Sequence, residues 1–206
     1  MRYALKEWNT TVEALGKGQI IAIWRKGGIE DISKAPNETF QTEQNQFILF
    51  PTFTHQSVEK IKKELWFLFD QSSITNKDNQ VKIKYWAGVE QEIIPKSLDE
   101  LLSISSELVN TREHLISSWN LYPNHEGKIL LLRVYQLSNQ ILITNSPEYT
   151  GCKSWIELKI DIPKAGSKAV LFFKDFNKKV RLINAQIEQV RELARIQQEE
   201  ESLVIH

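Results

Sequence analysis

The chain has very little cysteine. Cys152 is the only one among 206 residues, so no internal disulfide can form. The first residues contain no long apolar run of the signal-peptide type, and no segment approaches the ~20 apolar residues that a membrane-spanning helix requires. These absences predict a cytoplasmic protein that is not embedded in a membrane.

The chain also lacks an excess of charge of either sign. It has 26 basic and 26 acidic residues, so no overall positive field is available to hold nucleic acid nonspecifically. Any binding of a polyanion therefore requires a local patch of cations. With 41% hydrophobic residues, a chain of this length can bury a sizeable core, which favours one domain.

The hydrophobic pattern alternates between strand and helix periods. It predicts an α+β fold: a mixed or barrel-like sheet of about five or more strands, with inserted helices and a long C-terminal helix. The predicted strands are residues 20–25, 39–53, 81–86, 129–137, 154–160 and 169–173. The predicted helices are residues 4–15, 54–69, 98–109, 111–119 and 176–198.

The domain organisation follows from the last of these helices. Apolar residues from Phe176 to Ala194 recur every three or four positions, and Asp175 is a suitable N-cap. We therefore expect a single α+β domain over residues 1–174. The amphipathic helix of residues 175–206 either packs on this domain or forms a dimer interface.

A candidate anion site follows the first predicted strand. The strand delivers Arg25 and Lys26 into the pair Gly27 and Gly28, whose backbone N–H groups could face a phosphate. Arg25 and Arg133 both occupy strand positions where an apolar residue is expected, so each should have an acidic or phosphate partner. The alternative is a structural ion pair that fixes the strand order.

Three further polar groups suggest chemistry. His55 follows an apolar strand, where a catalytic, ligand-contacting or helix-capping residue is often found. Cys152, beside Lys153, could be a nucleophile with His55 as its base, or could simply pack. Glu157 and Lys159 have the spacing with which a restriction-type nuclease holds Mg²⁺, but no acidic ligand lies on a preceding strand, so charge pairs on an exposed strand explain them better. The histidines show no metal-ligand spacing with one another or with Cys152.

Several separated segments resemble the motifs of a known family. They are Trp24-Arg25-Lys26-Gly27-Gly28-Ile29, Phe50-Pro51-Thr52 with His55-Gln56, Leu132-Arg133-Val134-Tyr135 and Gly151-Cys152-Lys153-Ser154-Trp155. In this order, between about Ala4 and Leu158, the chain resembles domain-of-unknown-function family 1802, which is common in cyanobacteria. The family has no assigned activity. Some relatives occur beside a restriction-type nuclease domain, so the resemblance implies work connected with DNA or with restriction and modification.

The chain departs from this family in one motif. The family often has two glycines before the cysteine, whereas this chain has Thr150-Gly151-Cys152. The resemblance therefore gives less support to a strained turn there. The order of elements also resembles small β-barrel binding modules of the pseudouridine-synthase-associated type, some of which read modified bases.

These observations predict a noncatalytic module that recognises nucleic acid or a nucleotide. Arg25, Lys26 and Arg133 would contact phosphate, and His55 or Trp155 would contact a base. The partner is then nucleic acid or another phosphate-bearing ligand, and neither a cofactor nor a bound metal is expected.

Two alternatives remain open. The first is a hydrolase or nuclease in which His55 acts with Cys152 or Glu157. The second is a scaffold protein that forms a homodimer through the C-terminal helix.

Overall fold

The fold is α+β, as predicted. A computed structural model describes residues 1–26, 40–69, 79–121, 123 and 125–204. A mixed seven-stranded sheet curls into a half-barrel, and helices cover it, including a long one at the C-terminus. The predicted Gly27-Gly28 turn lies outside the described residues.

The strands and helices have the following bounds. The strands are β1 (Tyr3–Trp8), β2 (Ala22–Arg25), β3 (Gln46–Thr52), β4 (Gln80–Ile93), β5 (Lys128–Thr144), β6 (Trp155–Glu157) and β7 (Lys168–Ala169). The α-helices are α1 (Asn9–Gly16), α2 (Leu98–Ser103), α3 (Arg112–Asn120) and α4 (Phe173–Val204). Short 3-10 segments occur at Val58–Lys60, Lys63–Leu68, Ser105–Glu107 and Pro147–Tyr149.

The sheet is built around the long hairpin of β4 and β5. The strand order is β2-β5-β4-β3-β1-β6, and β7 pairs with the middle of β5. All these pairs are antiparallel except that of β1 with β3, in which Glu7 lies opposite Pro51. Because β1 and β3 run in parallel, both end at the same edge of the sheet.

Hydrophobic clusters lie on both faces of the sheet. One packs α1 against β2, β3 and β5 and includes Leu5, Phe47 and Leu132. A second packs α2, α3 and α4 against β2 and β5 and includes Leu131 and Phe176. Successive residues of β5 therefore point into different clusters, which is why this strand reads as a continuous apolar run. None of the helices in the described part has the length and apolar character to cross a membrane.

The N-terminal segment was wrongly predicted as a helix throughout. Residues 3–8 form β1, and only from Asn9 onward is the segment helical. Ala4, Leu5, Lys6 and Glu7 are all buried, so the strand has no solvent face to give it an alternating pattern. Pairing with β3, some 44 residues away along the chain, decides its conformation.

Other elements differ from the prediction in extent. The helix expected over residues 54–69 is only two short 3-10 segments, and the strand expected at 169–173 is only the short β7, after which α4 begins at Phe173. Asp175 is consequently in the first turn of α4 and is not its cap. The predicted cap of α3 is confirmed, because the Thr111 side chain accepts a hydrogen bond from the backbone N–H of His114.

Candidate functional site

A cavity of about 310 Å³ is lined by the C-terminal parts of β1 and β3 and by the whole of β2. The segment 151–154, just before β6, and one side of α3 also border it. Its polar lining residues include Lys6, Glu7, Arg25, Lys26, His55, His114, Cys152, Lys153 and Ser154. The structure thus brings together three of the predicted site residues, Arg25, Lys26 and His55.

Arg25 has the acidic partner that its strand position required. Its Nη1 is 2.7 Å from Glu7 Oε1, and its Nη2 donates to the Ser154 hydroxyl. The guanidinium also lies over the Phe40 ring, 5.2 Å from its centroid. Burial raises the pKa of Glu7 above its usual value, although the charge and the hydrogen bond of Arg25 oppose this shift. The ion pair joins β1 to β2, which fits the structural interpretation of Arg25.

Two of the lysines on the cavity wall donate hydrogen bonds to backbone carbonyls. Lys26 Nζ donates to Trp119 O and lies 5.8 Å from the Trp119 ring centroid, while partial burial lowers the pKa of Lys26. Lys6 Nζ donates to Gly151 O at 2.6 Å. A carbonyl satisfies one donor of an ammonium group without neutralising its charge. Lys26 is therefore a cation at the cavity wall.

His55 and Cys152 are in contact at the opening of the cavity. The distance from Cys152 Sγ to His55 Nε2 is 3.7 Å, so a proton can pass between thiol and imidazole. His55 itself and Gly151, which precedes Cys152, have left-handed backbone conformations, with φ values of 60° and 84°. Next to His55, the buried Gln56 side chain accepts a hydrogen bond from Thr10 N at 2.9 Å. This contact anchors the loop to the start of α1.

His114 also lines the cavity, although its sequence position gives no sign of this role. Its imidazole stacks on Trp8, with ring centroids 5.4 Å apart. Burial lowers the pKa of His114, and the nearby charge of Lys60 lowers it further. The Thr111 cap places His114 in the first turn of α3, but no sequence signal shows that this helix faces β1.

Arg133 does not line this cavity. Arg25 of β2 pairs with Lys128 of β5, and paired residues point to the same side of a sheet. Lys128 and Arg133 are five positions apart in β5, so they point to opposite sides. Arg133 instead packs under α4, about 5 Å from the ring centroids of Phe173 and Phe176. Among the described residues, the guanidinium therefore contacts aromatic rings and not the acidic or phosphate partner that was predicted.

Trp155 also lies outside the cavity lining. Its ring stacks on Phe40 and meets the edge of Phe47, and its Nε1 donates to Gln41 O at 2.9 Å. Since Arg25 lies over Phe40, Trp155 supports the arginine indirectly and is a packing residue of the core.

The residues of the nuclease alternative lie elsewhere. Glu157 is 3.6 Å from Arg2, and Lys159 pairs with Glu148 at 2.9 Å, with all four side chains largely exposed. These are surface charge pairs, and none of them lines the cavity. Within the described ranges, no group of three or more His, Cys, Asp or Glu side chains is arranged to hold a metal ion.

Comparison with known proteins identifies the family. Residues 4–181 match the family described as "Domain of unknown function (DUF1802)". The chain belongs to the DUF1802 family. No curated protein matches it. Among solved structures, this DUF1802 protein is similar to the crystal structure of a point mutant of ZmASCH from Zymomonas mobilis. The TM-score is 0.45 and the identity 9%, over 76% of this chain and 87% of that one.

Proposed function

We propose that this DUF1802 protein binds the phosphate group of a nucleotide or nucleic acid in the cavity. The supporting observation is that Lys6, Arg25, Lys26 and Lys153 line one cavity together with His55. Glu7 is the one acid among the described lining residues. Gly27 and Gly28 directly follow Lys26, and the proposal includes donation from their backbone N–H groups to the phosphate.

The two kinds of cation have different roles in this proposal. Glu7 counters the charge of Arg25, so Arg25 holds β1 and β2 together and offers the ligand only a local dipole. Lys26 keeps its charge, because its partner is a carbonyl. Lys26 and Lys153 therefore attract the phosphate, and the proposal does not include Arg133 or Trp155.

The size of the cavity suits a small ligand. A volume of about 310 Å³ is within the range of roughly 300–1,000 Å³ that is typical of small-molecule sites. Trp8 and Trp24 supply apolar wall beside the cations. Some relatives in the family occur beside nuclease domains. Single-stranded DNA and RNA are therefore included among the ligands to be tested.

Calorimetric titration of nucleotides and short oligonucleotides at low salt tests the proposal. We expect Lys26→Ala to weaken binding by about tenfold, since it removes one charge-assisted contact. Lys82→Ala is the matched control, because Lys82 is exposed on β4 and does not line the cavity. Affinity should fall as salt is raised. Equal weakening by both substitutions, or no binding by the wild type, would refute the proposal.

A second candidate function is hydrolysis through Cys152, and the 3.7 Å contact with His55 favours it. In this reaction His55 Nε2 accepts the thiol proton, and Sγ bonds to a carbonyl carbon of the substrate. The leaving group departs with the proton from the imidazolium, and water then cleaves the thioester. Glu157 has no part in this version.

The rate of alkylation of Cys152 by iodoacetamide tests the second candidate. Cys152 is the only cysteine, so a single mass change reports the reaction. We expect the folded wild type to react at pH 7 about tenfold faster than His55→Ala, because the imidazole 3.7 Å away can accept the thiol proton as Sγ is alkylated. The chain unfolded in urea supplies the reference rate. If both folded proteins match that reference, Cys152 is not activated.

A further inference from the structure

A second cavity adjoins the first. Its volume is about 340 Å³, and it lies between the end of β3 and the open end of the β4–β5 hairpin. The two cavities share four lining residues: Lys6, Thr52, Thr54 and Gly151. A ligand can therefore extend from one cavity into the other past these residues.

The two cavities differ in charge. Lys6, on the shared wall, is the one charged side chain among the described residues that line the second cavity. The remainder of the wall is neutral, with the amides of Asn79, Gln80 and Asn145 and the half-buried ring of Phe53. The cations of the first cavity suit an anion, whereas the second cavity suits an uncharged group that forms hydrogen bonds.

The boundary between the cavities is held in place. Lys6 Nζ donates to Gly151 O at 2.6 Å, which ties β1 to the segment before β6. On the far side, Asn145 N donates to Asn79 O at 2.7 Å, and Asn79 Nδ2 donates to Asn145 O at 2.9 Å. The Asn145 side-chain amide forms no hydrogen bond within the described part of the chain. Its donor and acceptor are therefore available to a ligand.

We propose that the ligand lies across both cavities, with its phosphate in the first and its base in the second. This inference rests on the proposed function and adds an orientation and a substrate class: a whole nucleotide unit, not an isolated phosphate. Amide side chains can pair with the donors and acceptors on a base edge, and an aromatic ring can stack on a base face. Asn145 and Phe53 supply these two contacts.

Three classes of ligand serve as probes that separate this inference from the proposed function. They are the four common nucleoside 5′-monophosphates, the matching nucleosides and inorganic phosphate, each titrated calorimetrically into the full chain. We expect one monophosphate to bind at least about tenfold more tightly than either its nucleoside or phosphate, because it occupies both cavities.

Two substitutions then assign the cavities. Asn145→Ala should weaken binding of the preferred monophosphate by about tenfold and leave phosphate binding unchanged, since only the base contact is lost. Lys26→Ala should weaken both. Thr144→Ala is the matched control, because Thr144 is exposed beside Asn145 and does not line the cavity.

The possible outcomes are distinct. If phosphate and all monophosphates bind equally and only Lys26→Ala weakens them, the two-cavity orientation is wrong and the proposed phosphate site stands. If no probe binds, the two-cavity orientation is wrong, and if Lys26→Ala has no effect on binding, both are wrong. Loss of base preference in Asn145→Ala, with phosphate binding intact, supports both.

Discussion

Individual side chains on the cavity wall have protonation equilibria set by their surroundings. His114 is the case with the simplest consequence, because burial and Lys60 both favour its neutral form. A histidine whose pKa is lowered by folding binds protons more tightly in the unfolded chain. Its contribution to stability is therefore present above its usual pKa of 6.5 and is lost as the pH falls below that value.

The variant His114→Phe isolates this effect. Phenylalanine keeps the stacking on Trp8 but cannot titrate, while the other histidines remain common to both proteins. Between pH 7.5 and 5.5 we expect the free energy of unfolding of the wild type, measured in urea, to fall relative to that of His114→Phe. Parallel curves across this range would show that His114 protonates equally in the folded and unfolded chains.

The sequence predicted some cavity residues and not others, for reasons of sheet geometry. Arg25, Lys26 and His55 each follow or end an apolar strand, and this signal was sufficient to find them. Arg133 instead lies inside an apolar strand, and whether its side chain faces the same side of the sheet as Arg25 depends on the pairing of Arg25 with Lys128. Such pairing between distant segments has no signature in a single sequence, since a shift of one residue exchanges the two faces.

At the scale of elements, α1 packs closely on the central strand β4. A Cβ atom added to Gly16, the last residue of α1, would be 2.2 Å from the Tyr85 ring, and Tyr85 is itself buried. The ring cannot move away without displacing its neighbours in the core. The absence of a side chain at Gly16 thus allows the helix to lie against the sheet.

Gly16→Ala should consequently destabilise the protein by about 1–3 kcal/mol, the usual cost of overpacking. Gly88→Ala is the matched control, because a Cβ there has its nearest neighbour at 3.9 Å and should be close to neutral. Thermal unfolding of the two variants beside the wild type measures the difference. Similar midpoints for both variants would mean that Tyr85 can rearrange without loss.

The long hairpin and the C-terminal helix were predictable as elements, whereas β1 was not. Residues 129–137 form a nearly continuous apolar run and residues 176–198 have strong helical periodicity, and the structure extends both elements. Residues 4–8 have apolar residues at helical spacing, but pairing with β3 overrides this local preference. The local sequence pattern therefore predicts the wrong conformation for elements, such as β1, whose conformation depends on pairing with a segment far away in the chain.

At the scale of the whole molecule, α4 has two unequal parts. Phe176, Ile183 and Ile187 are buried in the core, and Arg191 pairs with Glu100 of α2. Every described side chain from 192 to 203 is exposed, and the family match ends at residue 181. The first part of α4 thus completes the core, whereas the described side chains of the second part are exposed.

Truncation after Arg191 should therefore change the free energy of unfolding by no more than about 0.5 kcal/mol. Ile187→Ala, by contrast, should cost about 2–5 kcal/mol, because it leaves a cavity in the core. Urea unfolding measures the free energy of unfolding of the truncated chain and of Ile187→Ala. A large loss on truncation would contradict the division of α4 and indicate that something covers residues 192–204, as the predicted homodimer would. Sedimentation of both chains would then report that dimer.

The positions of Trp8 and Trp24 have a practical consequence. Both indoles belong to the wall of the first cavity, and the Trp24 ring is held by a hydrogen bond from its Nε1 to Ser118. Indole emission responds to the polarity around the ring, so a molecule that enters and displaces solvent would alter the native fluorescence. The protein therefore carries its own optical reporter, and unlabelled compound collections can be screened against it directly.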